Sequence, residues 1–314
     1  MALDRTALKS GPAILTFGGA TMYFKNGLTI ESVIATFDAE ADVFVGKDAR
    51  VRDSYIEIKG TPSGQWTGLS VWFPWLSAAR GARAHGGSDA AAVVHFLDGD
   101  KYTFHNAALV GMPDLMLSHT RTAMDGSLTL RARVKNSTLA SAANSIFTRQ
   151  TAQTFNDTSF AWTDVITPVL ALSWGSSPWD AFYTREGVKI SARPQWREIF
   201  IDGVGVVNEE LDGLEVVASF SPVGIADSAI DAKLAMQGSA NAMPGARRAS
   251  VGEDLIVSGT GLYVLVRNAS ARKATHRSGT GGTLRHGDIE AVASLELSTG
   301  AALAQLYVGT SAPE

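Results

Sequence analysis

Residues 128–134 of the chain read LTLRARV, and residues 289–295 read IEAVASL. Apolar residues occupy the even-numbered positions of the first stretch and the odd-numbered positions of the second. A period of two is typical of a β-strand that buries one face and exposes the other. We therefore expect two strands whose apolar faces, including Leu130, lie in a core, with Arg131 and Arg133 on the opposite face.

The two stretches begin 161 residues apart, and other features recur at nearly the same separation. Gly27 precedes Gly187 by 160 residues, and Pro62 precedes Pro222 by the same number. A near-constant separation favours two copies of one β domain, because a slip of one residue would turn a strand's buried face outward. The alternative is a coincidence between two halves that are both β-rich and glycine-rich, since the chain has 31 glycines.

The repeat predicts the domain boundaries. We expect an N-terminal arm at residues 1–10, a first domain at 11–136, a linker rich in Ser, Thr, Asn and Ala at 137–163, and a second domain at 164–314. Corresponding features should then occupy corresponding positions in the two domains.

Apolar residues with helical spacing are rare. They occur at residues 139–150 and 226–236 and, more weakly, at 75–84. Alternating patterns separated by glycine turns dominate elsewhere. The sequence therefore predicts a mainly β fold with a few short helices.

Two stretches carry a resemblance to a known family. Residues 27–30 (GLTI), the acidic segment that ends at Asp42, and residues 53–62 (DSYIEIKGTP) are similar to the tail tube proteins of long-tailed phages, and residues 186–222 are similar to them again. The resemblance implies two tandem tail-tube-like β-sandwich or barrel domains, each with a flanking short helix. In that family such domains join edge to edge into rings, and the rings stack into a tube.

The resemblance also implies partners and a place of action. The chain itself would be the main partner, as a trimer with six tube domains per ring. Further partners would be the tape-measure protein in the lumen, the tail terminator and baseplate proteins, and DNA in transient non-specific passage. The protein would belong to the virion tail and be assembled in the cytoplasm of the bacterial host. A distal tail or baseplate hub protein of the same fold is the nearest alternative.

Five carboxylates are the candidate site residues. Asp38, Glu40 and Asp42 in the first half, with Glu198 and Asp202 in the second, are expected at contacts between subunits or in the lumen. A minor alternative reads them as the acid and base of a glycosidase or the polar groups of a carbohydrate-binding protein, with some of the seven tryptophans stacking on sugars. Two equivalent acidic segments in two halves argue against that alternative.

Composition excludes several classes of function. Cysteine is absent, which removes disulfides, thiolate metal sites and cysteine nucleophiles. The net charge of −4 argues against tight wrapping of nucleic acid, which needs an excess of Lys and Arg. No apolar run approaches the roughly 18 residues of a membrane span, so we expect no membrane partner. None of the six histidines stands in a metal-binding motif, and we expect no enzyme activity, metal or cofactor.

Overall fold

The structure is a computed structural model. It describes residues 11–40, 47–63, 81–85, 91–118, 122–133, 146–155, 169–175, 183–201, 205–223, 253–259, 261–276, 286–293, 305–309 and 311–313. We call the described residues up to 155 the first half and those from 169 onward the second half.

Eighteen strands occur in the described residues. In the first half they are β1 (Ala13–Phe17), β2 (Ala20–Phe24), β3 (Thr29–Glu40), β4 (Lys47–Gly60), β5 (Ala92–Phe96), β6 (Lys101–Phe104), β7 (Ala107–Gly111), β8 (Asp114–Leu117), β9 (Thr122–Asp125), β10 (Leu128–Ala132) and β11 (Phe147–Gln150). In the second half they are β12 (Val169–Trp174), β13 (Tyr183–Ile201), β14 (Gly205–Val223), β15 (Glu253–Gly259), β16 (Leu262–His276), β17 (His286–Val292) and β18 (Leu306–Gly309).

The strands form three antiparallel sheets. One has five strands in the order β11-β6-β5-β1-β2, and one has four in the order β3-β4-β10-β7. The third has nine strands in the order β12-β15-β16-β17-β14-β13-β8-β9, with β18 also paired to β16. Buried side chains from all three sheets form one continuous hydrophobic core. The predicted mainly β class is therefore confirmed.

The helical predictions are wrong where the structure describes them. No helix occurs in the described part of the chain. Residues 147–150, at the end of the predicted helix 139–150 and inside the predicted linker, form β11 and pair with β6. Pairing satisfies the backbone groups at the edge of β6, and the Phe147 ring lies 6.0 Å from that of Phe104. Residues 226–236 lie outside the described residues.

The weaker helical prediction, 75–84, also fails at its end. Gly81 donates its backbone N–H to Leu211, and Arg83 forms a β-bridge with Glu210. An extended backbone at these residues completes hydrogen bonds that the neighbouring strand β14 offers, which local helical spacing does not reveal. Residues 75–80 lie outside the described residues.

The two alternating stretches bury their apolar faces as expected. Leu128, Leu130 and Ala132 of β10 are fully buried, and so are Ile289 and Ala291 of β17. Val134 and Leu295 lie outside the described residues. The registers predicted from periodicity are thus confirmed for the described parts of both strands.

The long hairpins of the two halves have the same register. Ile30 of β3 pairs with Ile58 of β4, and Ile190 of β13 pairs with Ala218 of β14. Each residue of the second pair lies 160 positions after its counterpart in the first. Both hairpins therefore align the same two positions across the strands.

The third strand of each sheet also has a matching register. Leu130 of β10 pairs with Ile58, and Ala291 of β17 pairs with Ala218. Leu130 and Ala291 are 161 positions apart, which adds one residue to the offset of the hairpins. The sheet order β3-β4-β10 in the first half thus corresponds to β13-β14-β17 in the second.

The fourth strand repeats two irregularities of the backbone. The pairing of β10 with β7 skips Val110, and the pairing of β17 with β16 skips Arg272, which lies 162 positions later. Asn106 has φ 45°, and Asn268, again 162 positions later, has φ 46°. A positive φ is uncommon outside glycine, so its recurrence at matched positions is a specific likeness of the two backbones.

The outer strands correspond as well. Val94 of β5 pairs with Tyr102 of β6, and Val257 of β15 pairs with Val264 of β16, at offsets of 163 and 162. β1 pairs with β5 as β12 pairs with β15, and β11 pairs with β6 as β18 pairs with β16.

The matched glycines and prolines of the two halves also have similar surroundings. Gly27 has φ +81° and Gly187 has φ +94°, and an added Cβ would collide with the carbonyl oxygen of Gly11 or of Leu117. Both positions therefore require glycine. Gly27 precedes β3, whereas Gly187 lies inside β13 because that strand begins earlier. Pro62 and Pro222 are both buried near the end of the second hairpin strand.

The left-handed position of Asn268 gives a stability test. We expect Asn268→Gly to leave the free energy of unfolding nearly unchanged and Asn268→Val to lower it by about 1–2 kcal/mol, because only the β-branched residue is strained at a positive φ. Urea unfolding of both variants measures the difference. Equal effects of glycine and valine would show that this backbone conformation is absent in solution.

Candidate assembly interface

The two halves meet through backbone pairing at two places. The β8–β9 hairpin of the first half pairs with β13 of the second, and residues 81–85 of the first half run beside residues 208–211 of β14. A third contact is a hydrogen bond from Trp196 Nε1 to the carbonyl oxygen of Val110, 3.0 Å long. The described halves are therefore joined by strand addition as well as by side chains.

We call the contact between β8 and β13 the hairpin seam. The chain leaves β7 at Gly111 and enters β8 at Asp114, so consecutive strands belong to different sheets. In the seam, Leu117 pairs with Val188 and Leu115 pairs with Ile190. All four side chains are buried, and burial of each contributes on the order of 1.5–3 kcal/mol.

A charged group closes the exposed side of the hairpin seam. Lys189 Nζ lies 2.8 Å from the carboxylate of Asp114 and 3.7 Å from that of Asp125. The hydrogen bond to Asp114 raises the pKa of Lys189, so the side chain stays cationic. Asp114 and Asp125 pair across the base of the β8–β9 hairpin, and Lys189 therefore links both hairpin strands to the second half.

The second place of contact is built from backbone and amide groups. Ala84 donates its N–H to the carbonyl of Glu209 at 2.7 Å, and Leu211 donates to Ala82 at 2.8 Å. Asn208 accepts the backbone N–H of His85 and donates its amide to the carbonyl of the same residue. These bonds hold the β14 backbone against residues 81–85 and fix the position of Glu209.

Glu209 lies at the centre of a buried group that we call the ion cluster. Its carboxylate accepts hydrogen bonds from Arg131 Nη1 and, at 3.2 Å, from Arg133 Nη2. His85 Nε2 lies 3.4 Å from the other carboxylate oxygen. Glu209 is fully buried, so these groups replace the water that a carboxylate normally requires. The members come from both halves of the chain.

Further groups of the first half support the two arginines. The Arg131 and Arg133 guanidinium carbons lie 4.8 Å and 5.2 Å from the centre of the Tyr55 ring. The Glu57 carboxylate lies 3.9 Å from Arg131 Nε and forms an ion pair with Lys59 Nζ at 2.7 Å. The outer face of β4 and β10 thus presents cations that are already oriented toward Glu209.

The charge of Glu209 is strongly stabilised. Burial alone would raise its pKa, but the hydrogen bond with His85 and the positive charges of Arg131 and Arg133 outweigh burial and lower the pKa from 4.5 to about 2. A carboxyl group with so low a pKa is a weak general base near neutral pH. The ion cluster is therefore suited to joining the two halves rather than to proton transfer.

The predicted carboxylates lie on the long hairpins. Asp38 pairs with Ala49, and Glu40 pairs with Lys47, on the backbone of the β3–β4 hairpin. Glu198 of β13 is exposed and pairs with Glu209 of β14. Asp42 and Asp202 lie outside the described residues. The structure thus brings one predicted carboxylate next to the ion cluster, and the role of all five at contacts or in a lumen stays a prediction.

Sequence reasoning missed the residues that form the ion cluster. It placed Arg131 and Arg133 on the outer face of β10, toward water or a partner, and did not identify β14 as the strand that buries Arg133. A signal was available in the two arginines themselves, because closely spaced cations on a strand face require a partner if that face is covered. Nothing in the sequence pattern around Glu209 or His85 indicated that these residues would cover the outer face of β10.

No protein-family model and no curated protein matches the sequence. Within the described residues, no helix is long and apolar enough to cross a membrane, and no group of three or more His, Asp or Glu side chains could hold a metal ion.

Removal of the Glu209 charge should weaken the contact between the halves. We expect Glu209→Gln to lower the free energy of unfolding by roughly 3–5 kcal/mol, because it leaves the buried Arg133 and the half-buried Arg131 without their shared carboxylate. Chemical denaturation at pH 7 measures the loss. The matched control is Glu198→Gln, the exposed cross-strand neighbour, which should change stability by less than about 0.5 kcal/mol. Equal losses in the two variants would contradict the ion cluster.

The same carboxylate predicts a pH dependence. The folded-state pKa of Glu209 lies below its ordinary value, so its contribution to stability is full above about pH 4.5 and disappears as the pH falls toward 2. A shift from 4.5 to about 2 corresponds to roughly 3 kcal/mol. The stability difference between wild type and Glu209→Gln should therefore shrink over this interval, and a difference that is constant with pH would contradict the assignment.

Proposed function

We propose that this protein is a structural virion protein, the tail tube protein of a long-tailed phage. Each chain would carry two tandem tail-tube-like β domains and would assemble with other copies into stacked rings. It would act mechanically rather than as an enzyme, by forming a channel that holds the tape-measure protein and later conducts DNA.

The tandem domains are supported by the repeated pairing of strands. The sheet β3-β4-β10-β7 and the strands β13-β14-β17-β16 share their order, their registers and the skipped residue in the fourth strand. Because β11 and β18 also correspond, we place residues 147–150 in the first domain rather than in a linker. Independent folds would have no reason to share these offsets.

Self-assembly is supported above all by the hairpin seam. In the seam the first unit donates the β8–β9 hairpin, and the second unit accepts it along β13. Two like units joined in this heterologous way leave one acceptor edge and one donor hairpin without an equivalent partner. The unused acceptor is β3, which corresponds to β13 and pairs with β4 alone among the described residues. The counterpart of the β8–β9 hairpin falls at residues 276–286, of which 277–285 lie outside the described residues.

A closed ring removes both unused edges. Heterologous contacts close into a ring or continue as a filament, and an exposed β edge that stays open is prone to aggregation. Three chains of two units each would give a ring of six like units. The sheets would then be continuous around a channel, and stacking of such rings would form the tube with its terminator and baseplate at the ends.

Assembly can be measured on the purified chain. We expect particles of three chain masses, and stacks of them, by analytical ultracentrifugation and negative-stain electron microscopy at high protein concentration. Each contact between chains should bury more than about 1,000 Å². Long hollow tubes support the tube protein, and isolated rings without stacking support a hub position.

Two results would contradict the proposal. One is a monomer at high concentration with no rings or tubes, and the other is a ring of six chains. A monomer that binds a glycan would point instead to the carbohydrate-binding alternative.

A further inference from the structure

His85 lies where the two halves meet and has a hydrogen-bond acceptor at each ring nitrogen. Its Nδ1 lies 2.8 Å from the carbonyl oxygen of Asn106, and its Nε2 lies 3.4 Å from Oε2 of Glu209. A carbonyl oxygen and an ionised carboxylate only accept hydrogen bonds, so each contact requires a proton on the ring nitrogen. The geometry therefore fits the imidazolium, which carries both protons, and not the neutral ring, which carries one.

The contact between His85 and Glu209 lies out of reach of water. The two side chains are 1% and 0% exposed. Arg131 and Arg133 both bond Oε1 of the carboxylate, so among the described residues His85 Nε2 is the donor that faces Oε2. If Nε2 lost its proton while Nδ1 stayed bonded to Asn106, its lone pair would face Oε2. An attraction would then become a repulsion, with no water to relieve it.

The charges around the His85 ring act in both directions. Glu209 of β14 favours the imidazolium, whereas the two arginines of β10 oppose a third cation beside the same carboxylate. Glu57 of β4 offsets part of the arginine charge but is also paired with Lys59. Arg83, on the same segment as His85, is exposed. Imidazole is the side chain that ordinarily titrates between about pH 5 and 8, so a change of pH over this interval moves the balance.

The segment that His85 anchors is residues 81–85, which we call the strap. Gly81 and Ala84 donate their backbone N–H groups to Leu211 and Glu209, and Leu211 donates to the strap in return. These bonds lie along one edge of β14, whose other edge pairs with β13. His85 is the strap residue whose side chain enters the ion cluster, so its contacts hold the strap against that edge.

We propose that His85 is a pH-sensitive latch: its protonated ring holds the strap on β14, and loss of the proton releases the strap and uncovers the β14 edge at residues 209–211. The charged ring is bound in the closed form, so the closed form is favoured near pH 5 and is lost as the pH rises toward 8. This dependence has the opposite sign to that of Glu209, whose contribution disappears only toward pH 2. The inference goes beyond the proposed function and does not require that the chain form a tube.

Amide hydrogen exchange, read by mass spectrometry on the full chain, tests the latch. We expect the protection of peptides that cover 81–85 and 208–211 to fall about tenfold between pH 6 and pH 8, after correction for the intrinsic effect of pH on exchange, because one charge-assisted hydrogen bond is lost. Peptides that cover the hairpin seam should keep their protection. His85→Gln should abolish the pH dependence, since an amide does not titrate. The matched control is His95→Gln, on β5 and outside the ion cluster, which should retain it.

A second measurement uses the wild-type chain alone. Exchange of the Cε1 hydrogen of each imidazole, followed by mass spectrometry across a pH series, gives the titration midpoint of each histidine. The midpoint of His85 should coincide with the pH at which the strap opens. A midpoint outside that interval would overturn the latch, even if His85→Gln lost protection throughout the chain and could not be compared.

The pattern of exchange gives the remaining outcomes. A loss of protection that is confined to the strap and β14, present in wild type and His95→Gln and absent from His85→Gln, supports the latch. Protection in wild type that does not change with pH overturns it. A loss that persists in His85→Gln assigns the effect to another group and also overturns it. A loss that extends equally to the hairpin seam is global unfolding, which contradicts a local release.

Discussion

The backbone hydrogen bonds between β8 and β13 are the contact on which the rest of the described structure depends. They join a strand that leaves one sheet to the edge of another, so that the two halves share one layer of hydrogen-bonded strands. Leu115 and Leu117 are buried in the shared hydrophobic core beside β13 through this pairing. Without it, both β13 and the hairpin would present unpaired backbone groups, which buried or half-buried strands do not tolerate.

The ion cluster adds specificity to this backbone contact. Strand addition alone is permissive, since any strand of suitable length can form main-chain hydrogen bonds. Glu209 finds both Arg131 and Arg133 only when β14 crosses the outer face of β10 in one arrangement. A buried charge that misses its partners is costly, so the cluster penalises other arrangements of the halves. Its counterparts Ala49 and Val292 impose no such requirement.

The sequence predicted what periodicity encodes and missed what long-range contact decides. The alternation in residues 128–132 and 289–293 predicted the correct buried faces, because successive side chains of a strand point to opposite faces of the sheet, whatever its partners are. Phe147 was assigned to a helix because apolar spacing of three and four also occurs by chance in a short strand, and the edge of β6 determines its conformation. The partners of Glu209 could not be predicted, since they lie 76 and 78 residues away and on another sheet.

The central claim is that one contact, seen between the halves of a chain, recurs between chains. A cryo-electron microscopy reconstruction of assembled particles tests this most directly. The account predicts three chains per ring and a β-sheet that crosses each chain boundary, with the β3 edge of one copy paired to a strand of the next. Chains that meet through side chains alone, with the β3 edge unpaired, would contradict it.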